Sequence, residues 1–255
     1  MEKFFGNMHI VHLQNIEKNS RIVICNGGKE IFFLCLLHYN DTCKVNQQFT
    51  GGERKVVKLN IQTAELALKE ASESNPGAWA DHSRFVAEAC KNIASHCKDL
   101  SSEQAYIFGL LHDIGRYAGV SSERHLIDGY RYCMERGWEK AAQICISHAF
   151  MIQDIATSIG VFDVSDEDYL FMKEFVANAV YDDYDRLVQL CDALAMPSGF
   201  CLLEKRFVDV TMRYGVHPAT IDRWKKILEI KEQFENQIGC SIYSLLPGIV
   251  ENSFR

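Results

Sequence analysis

Several features are missing from this 255-residue sequence, and each absence removes a class of function. No apolar run approaches the roughly 20 residues needed to cross a bilayer, the longest being Ile31 to Leu37. Glu2 and Lys3 are not followed by an apolar core of signal-peptide type, so no secretion signal is expected. None of the ten cysteines is spaced Cys-x-x-Cys, which weakens a zinc-ribbon reading and favours reduced thiols in a cytoplasmic protein. Positive charge is in deficit: the net charge of -7 argues against a nucleic-acid backbone as partner. A small anionic substrate remains compatible with that charge where a metal site overrides it locally. Proline occurs only four times, and there is no repeat or low-complexity stretch.

What is present belongs to a globular chain, 47% hydrophobic and 24% charged. The length suits one large domain, or one domain with a small addition. Residues 1–57 read as that addition. Arg21 to Cys25 and Ile31 to Leu37 are short β-prone runs, and Asn26-Gly27-Gly28-Lys29 between them suits a hairpin turn. A lone hairpin is marginal in water. It is expected to dock on the main domain, to pair with another chain in a homo-oligomer, or to stay unordered. Gly51-Gly52 reads as a connector.

Residues 58–255 read as helix after helix, an all-α domain. The first helix spans Thr63 to Ser72 and ends before Asn75-Pro76-Gly77. Asp81 is the expected cap of a second that reaches about His96, with Phe85, Ala89 and Ile93 on its apolar stripe. Ser101 and Gln104 give a capping-box pattern for a third, almost wholly apolar from Ala105 to Leu111, with Gly115 supplying the exit from the helix. Ser121 or Ser122 opens a fourth that Gly137 terminates, and the fifth covers Glu139 to Phe150. Ser165 starts a helix to about Tyr181. Asp182 or Asp183 caps the next, through Leu194, before Pro197, and two or three more follow, including Trp224 to Gln237. Cys90, Cys133, Cys145 and Cys191 sit in helical apolar patterns, as small hydrophobes.

These helices carry an unusual set of ionisable residues. His82 lies in the first turn of the second helix, His112-Asp113 at the end of the third, His125 near the start of the fourth and His148 near the end of the fifth. Asp192 interrupts the apolar run Leu187 to Leu194. Taken singly, a helical histidine is an ordinary hydrogen-bonded residue, and His112-Asp113 could merely close a helix end. Buried carboxylates, however, need a partner. Imidazole and carboxylate donors from five helices are how bundle cores build metal sites. His9, His12, His38, His96 and His217 fit no such pattern.

The order His, His-Asp, His, His, Asp resembles the HD superfamily of metal-dependent phosphohydrolases, with the motif present as His112-Asp113-Ile114-Gly115. His125-Leu126-Ile127-Asp128-Gly129 resembles the His-x-x-x-Gly step of its two-metal members. Asn75-Pro76-Gly77-Ala78-Trp79 and Tyr184-Asp185-Arg186-Leu187 resemble a bacterial and archaeal branch with two extra histidines. The resemblance covers about residues 59–255. It implies a helical HD fold in which His82, His112, Asp113 and Asp192 hold one divalent metal, and His125 and His148 add a second bridged by Asp113. Iron, manganese and zinc all suit such donors. It further implies hydrolysis of a phosphate ester or anhydride of a nucleotide by a metal-activated water. Asp113 and Arg116 are the candidate catalytic residues, with Arg116 and Arg186 as candidate phosphate clamps. Two alternatives stay open: a one-metal nucleotidase, although such members carry a glutamate where Arg116 stands, and a non-catalytic nucleotide-binding sensor. Oxygen-dependent cleavage, known from a few di-iron relatives, is not discriminated by any residue.

Overall fold

The computed structural model describes the backbone of residues 22–27 and 30–35 and all of residues 57–254. Arg21, Leu36, Leu37, the Gly51-Gly52 connector and His9, His12 and His38 lie outside the described residues. The chain divides into two units, Met1–Glu53 and Arg54–Arg255. In the first, β1 (Ile22–Gly27) and β2 (Glu30–Cys35) pair antiparallel with Gly27 opposite Glu30 and Ile22 opposite Cys35, the hairpin expected from sequence.

The second unit is all-α. Its helices are α1 (Ile61–Ser74), α2 (Trp79–Ala94), α3 (Ser102–Leu111), α4 (Arg124–Met134), α5 (Glu139–Ser147), α6 (Asp166–Asn178), α7 (Asp183–Ala193), α8 (Leu203–Tyr214), α9 (Thr220–Ile238) and α10 (Ile249–Ser253). Short 3-10 turns at Ile114–Ala118, Ile155–Thr157 and Ile242–Leu245 join them. A two-residue ladder, β3 (Ala195–Met196) with β4 (Gly199–Phe200), escaped the sequence reading because it turns around Pro197 in only two residues per side. All four prolines sit between helices.

Helix α3 is the hub. Its residues Ala105, Ile107, Phe108, Leu110 and Leu111 are buried, as the unbroken apolar run requires. It packs most extensively on α2. Gly109 permits that approach, since a Cβ there would lie 2.7 Å from the Ala87 Cα. Ser101 accepts the Gln104 N–H as expected, but the second half of the capping box is replaced. Tyr184 accepts the Ser101 N–H at 2.8 Å and donates to the Gln104 side chain at 2.9 Å, tying α3 to α7.

Other starts follow local rules. Ser165 caps α6, and Asp182 with Asp185 closes a full capping box on α7. Two expected caps are not used. Helix α2 begins at Trp79, and Asp81, inside its first turn, pairs with Arg84 at 2.9 Å. Helix α4 begins at Arg124, where neither Ser121 nor Ser122 caps it. The Asp163 carboxylate, distant in sequence, accepts the Ser122 and Arg124 N–H groups at 2.9 and 2.7 Å and does that job. Helix α6 stops at Asn178, short of Tyr181, where an extended Ala179 ends it.

Behind the histidines, Asp185 is wholly buried. It accepts bonds from Lys140, Gln143 and Ser147, fastening α5 to α7. Gln189 adds a bond to the Ser147 carbonyl at 2.8 Å. The two helices that carry His148 and Asp192 are thereby fixed against each other. Cys90, Cys133, Cys145 and Cys191 are buried free thiols in apolar surroundings, as expected of small hydrophobes.

Candidate metal centre

Five helices bring the six expected residues together. His82 sits in the first turn of α2, His112 and Asp113 end α3, His125 is the second residue of α4, His148 follows α5 and Asp192 closes α7. All four histidines and Asp113 are buried, and Asp192 is partly exposed. Two groups could each hold a metal ion: His82 with His112 and Asp113, and Asp113 with His125 and His148. Within each, the donor atoms lie within 4.8 Å of one another, and Asp113 belongs to both. Asp192 joins the first group through His82, whose Nε2 is 2.9 Å from its Oδ1.

The histidines are oriented by their backs. His112 and His148 direct Nδ1 at the carbonyls of Gly109 (2.7 Å) and Ile144 (3.0 Å), and His125 directs its own at the Ser122 carbonyl. A carbonyl only accepts, so Nδ1 carries the proton and the Nε2 lone pair points into the cluster. That is how proteins prepare an imidazole ligand. His112 Nε2, His82 Nδ1 and Asp113 Oδ1 are buried without a hydrogen-bond partner. Asp113 Oδ1 lies 3.2 Å from His125 Nε2 and 3.7 Å from His148 Nε2, without bonding geometry to either. Such orphaned donors are costly in a dry site unless a cation completes them, so the residues fit the metal.

Their protonation fits as well. Burial pushes the His112 imidazole down to about 4, against a partial rise from Asp113, and burial also lowers His148. Burial alone would raise the Asp113 carboxyl, but Arg116, His112 and His125 outweigh it and hold it well below the usual range. Neutral imidazoles and an ionised carboxylate are the forms that bind a cation.

Gly115 has a different task from the one expected. It does not adopt a left-handed conformation to leave the helix. A Cβ there would stand 1.9 Å from the His125 carbonyl oxygen and 2.3 Å from the Gly129 nitrogen. The glycines of the His112-Asp113-Ile114-Gly115 motif and of the His125-x-x-x-Gly129 step therefore face each other. They let α4 close on the turn after Asp113, which brings His125 to the aspartate. Asn75 steadies the same turn by donating to the Arg116 carbonyl at 2.6 Å.

The cluster forms one wall of a cavity of about 500 Å³. Arg116 lines it, bound to Asp113 Oδ2 through Nε at 2.6 Å. Arg186 does not line it: its guanidinium donates to the Met151 carbonyl and Gln189 and covers the Tyr181 ring. That arginine braces α7 in place of the clamp expected of it. His96 and His217 bond locally to their own turns, outside the cluster. Part of the cavity lining, contributed by α8 and α9, was not legible in the sequence. Arg206 there lies 3.5 Å from Asp192, Phe207 stacks on Trp224 with centroids 5.0 Å apart, and Arg223 follows in the first turn of α9. The basic and aromatic character of α8 was the available signal, but nothing local marks which arginines turn inward.

Residues 54–141 match the family model of the HDOD domain. The matched stretch contains His82, His112, Asp113 and His125 and ends before His148 and Asp192. No curated protein and no solved structure matches the chain.

Proposed function

We propose that this chain is a metal-dependent phosphohydrolase that cleaves a small phosphate ester or anhydride, of the nucleotide kind, at a two-cation site. The observation that carries the reading is the pair of three-donor groups sharing Asp113, in which buried polar atoms of His82, His112 and Asp113 lack a hydrogen-bond partner. The HDOD match supports an HD-like site on the residues it covers. In this reading His82, His112, Asp113 and Asp192 would hold one ion, and Asp113, His125 and His148 the other. Divalent cations held there acidify a water toward hydroxide and offset charge on phosphoryl oxygens.

The chain's own groups do the rest. The carbonyl-anchored imidazoles are fixed in direction, so ligand geometry is preorganised. Arg116 balances the buried Asp113 charge through Nε, with Nη2 3.3 Å from His125 Nε2, and its outer Nη1 edge is the part that would meet a phosphoryl group. Trp79 and the stacked Phe207 and Trp224 flank the cavity with apolar surface suited to a base.

One observation favours a second reading. Domains of the matched HDOD kind are HD-related and often non-catalytic, and the cavity would then bind a nucleotide without turnover. Metal analysis of anaerobically purified protein, followed by a phosphate-ester screen, separates the two. Asp113→Ala is expected to remove metal and activity together, since no neighbour can replace a carboxylate common to both groups. A wild-type protein that holds metal and cleaves nothing would favour the sensor, and an Asp113→Ala protein with a full metal complement would refute the site.

A further inference from the structure

Among the described residues four arginines line the cavity, in a protein with a net charge of -7, and their counter-charges differ. Arg116 is bound to Asp113, and Arg213 to Asp209 at 2.8 Å. Arg206 is shared loosely between Asp192 and Asp209, 3.5 Å from each. Arg223 makes no ion pair among the described residues. Its Nη1 donates to the Ala149 and Thr157 carbonyls at 3.0 and 3.1 Å. No protein acceptor among the described residues takes its Nε–H or Nη2–H.

A guanidinium pinned by one nitrogen keeps its other edge, Nε with Nη2, as a preset two-donor fork. That edge matches a phosphate or carboxylate side-on. Burial holds the Arg223 pKa below the ordinary arginine value, although Glu123 and Asp192 pull it the other way. The charge is therefore under-compensated inside the protein, and a bound anion would relieve it. Glu123 is occupied in part by the Ser158 hydroxyl, which donates to it at 2.8 Å.

We infer that Arg223, with Arg206 lining the same cavity, forms a subsite for a second anionic group, so that the preferred substrate carries a phosphate or carboxylate besides the phosphoryl group at the metal cluster. The inference rests on the function proposed above for what the cluster does, and adds which substrates it takes. Arg223 is a substrate-binding residue in this scheme and acts on affinity, away from the bond that breaks.

The test measures the calorimetric affinity of the full-length, manganese-loaded protein for adenosine 5′-monophosphate and for adenosine 3′,5′-bisphosphate. Wild-type protein is expected to prefer the bisphosphate by about tenfold or more, the strength of hydrogen bonds to a charged group. Arg223→Gln should lower that preference by about tenfold, and Arg223→Lys by less, because a point charge replaces the fork. Melting temperature and metal content are checked first. Should the glutamine variant fail to fold, the lysine variant carries the same comparison with a smaller expected drop in preference. A wild-type protein without the preference overturns the inference. So does a variant that loses both ligands equally, which would make Arg223 only a tie to the Ala149 and Thr157 carbonyls. A preserved Arg223-dependent preference without hydrolysis of any ester would leave the subsite standing and refute the phosphohydrolase reading instead.

Discussion

Replacing Gly115 with alanine tests how the second half of the centre is assembled. The added Cβ would stand 1.9 Å from the His125 carbonyl oxygen, where real Cβ contacts keep at least 3.0 Å. The obstacle is helix backbone, so α4 has to retreat by about 1 Å. Overpacking of this kind costs about 3 kcal/mol at the upper end of the usual range. For a helical unit of this size that lowers the melting temperature by about 6–12 °C. His125 rides on the displaced helix, with Nε2 now 3.2 Å from Asp113 Oδ1. Ligand distances tolerate only about 0.2 Å, so the Asp113–His125–His148 group should lose its ion while His82, His112 and Asp113 keep theirs. Calorimetric melting and metal analysis of the same preparation read both effects. An alanine variant that melts like the wild type and holds the same metal would refute the close-approach argument.

Further outcomes follow from the same geometry. His125→Ala or His148→Ala should reduce bound metal from about two ions per chain toward about one while the helices stay folded, as circular dichroism would report. A wild-type protein that never takes more than one ion under any loading would favour the one-metal alternative. His112 is held neutral with its pKa at about 4, against 6.5 in the unfolded chain. Between those values the unfolded state binds the extra proton, so chelator-treated protein should lose stability as pH falls through that window. Melting curves at a series of pH values read this, and a melting temperature that holds steady from pH 7 to pH 4.5 would contradict it. Finally, a chain beginning at Arg54 should fold, bind metal and turn over substrate, since residues 1–53 supply none of the donors and Val57 bonds to Trp138 at 2.7 Å. Metal binding without turnover in that shortened chain would give the hairpin unit a part in the active site.

Local chemistry was enough for much of the helical frame. Ser101, Ser165 and Asp182 each cap the helix that follows them, because a side-chain oxygen reaches an N–H only two or three residues away. The apolar run Ala105 to Leu111 announced a buried helix, and the buried Asp113 at its end announced a partner. The six candidate ligands were legible because their types and order resemble a known pattern, and the helices bring them together.

What sequence alone could not supply were the choices that depend on distant segments meeting. Helix α4 is capped by Asp163, about 40 residues away, and the hydroxyls of Ser121 and Ser122 beside it do not serve as the cap. Gly115 looked like a helix exit, and only the packed structure revealed Gly129 and the His125 carbonyl against it. Arg186 and Arg223 look alike in sequence. Folding turns one to the Met151 carbonyl and Gln189, and pins the other beside the cavity by the carbonyls of Ala149 and Thr157. Propensity and capping act within a turn of helix and are written in the chain. Close approach, burial of charge and the facing of a cavity arise only when surfaces far apart in sequence exclude water together, and those were decided by the tertiary structure.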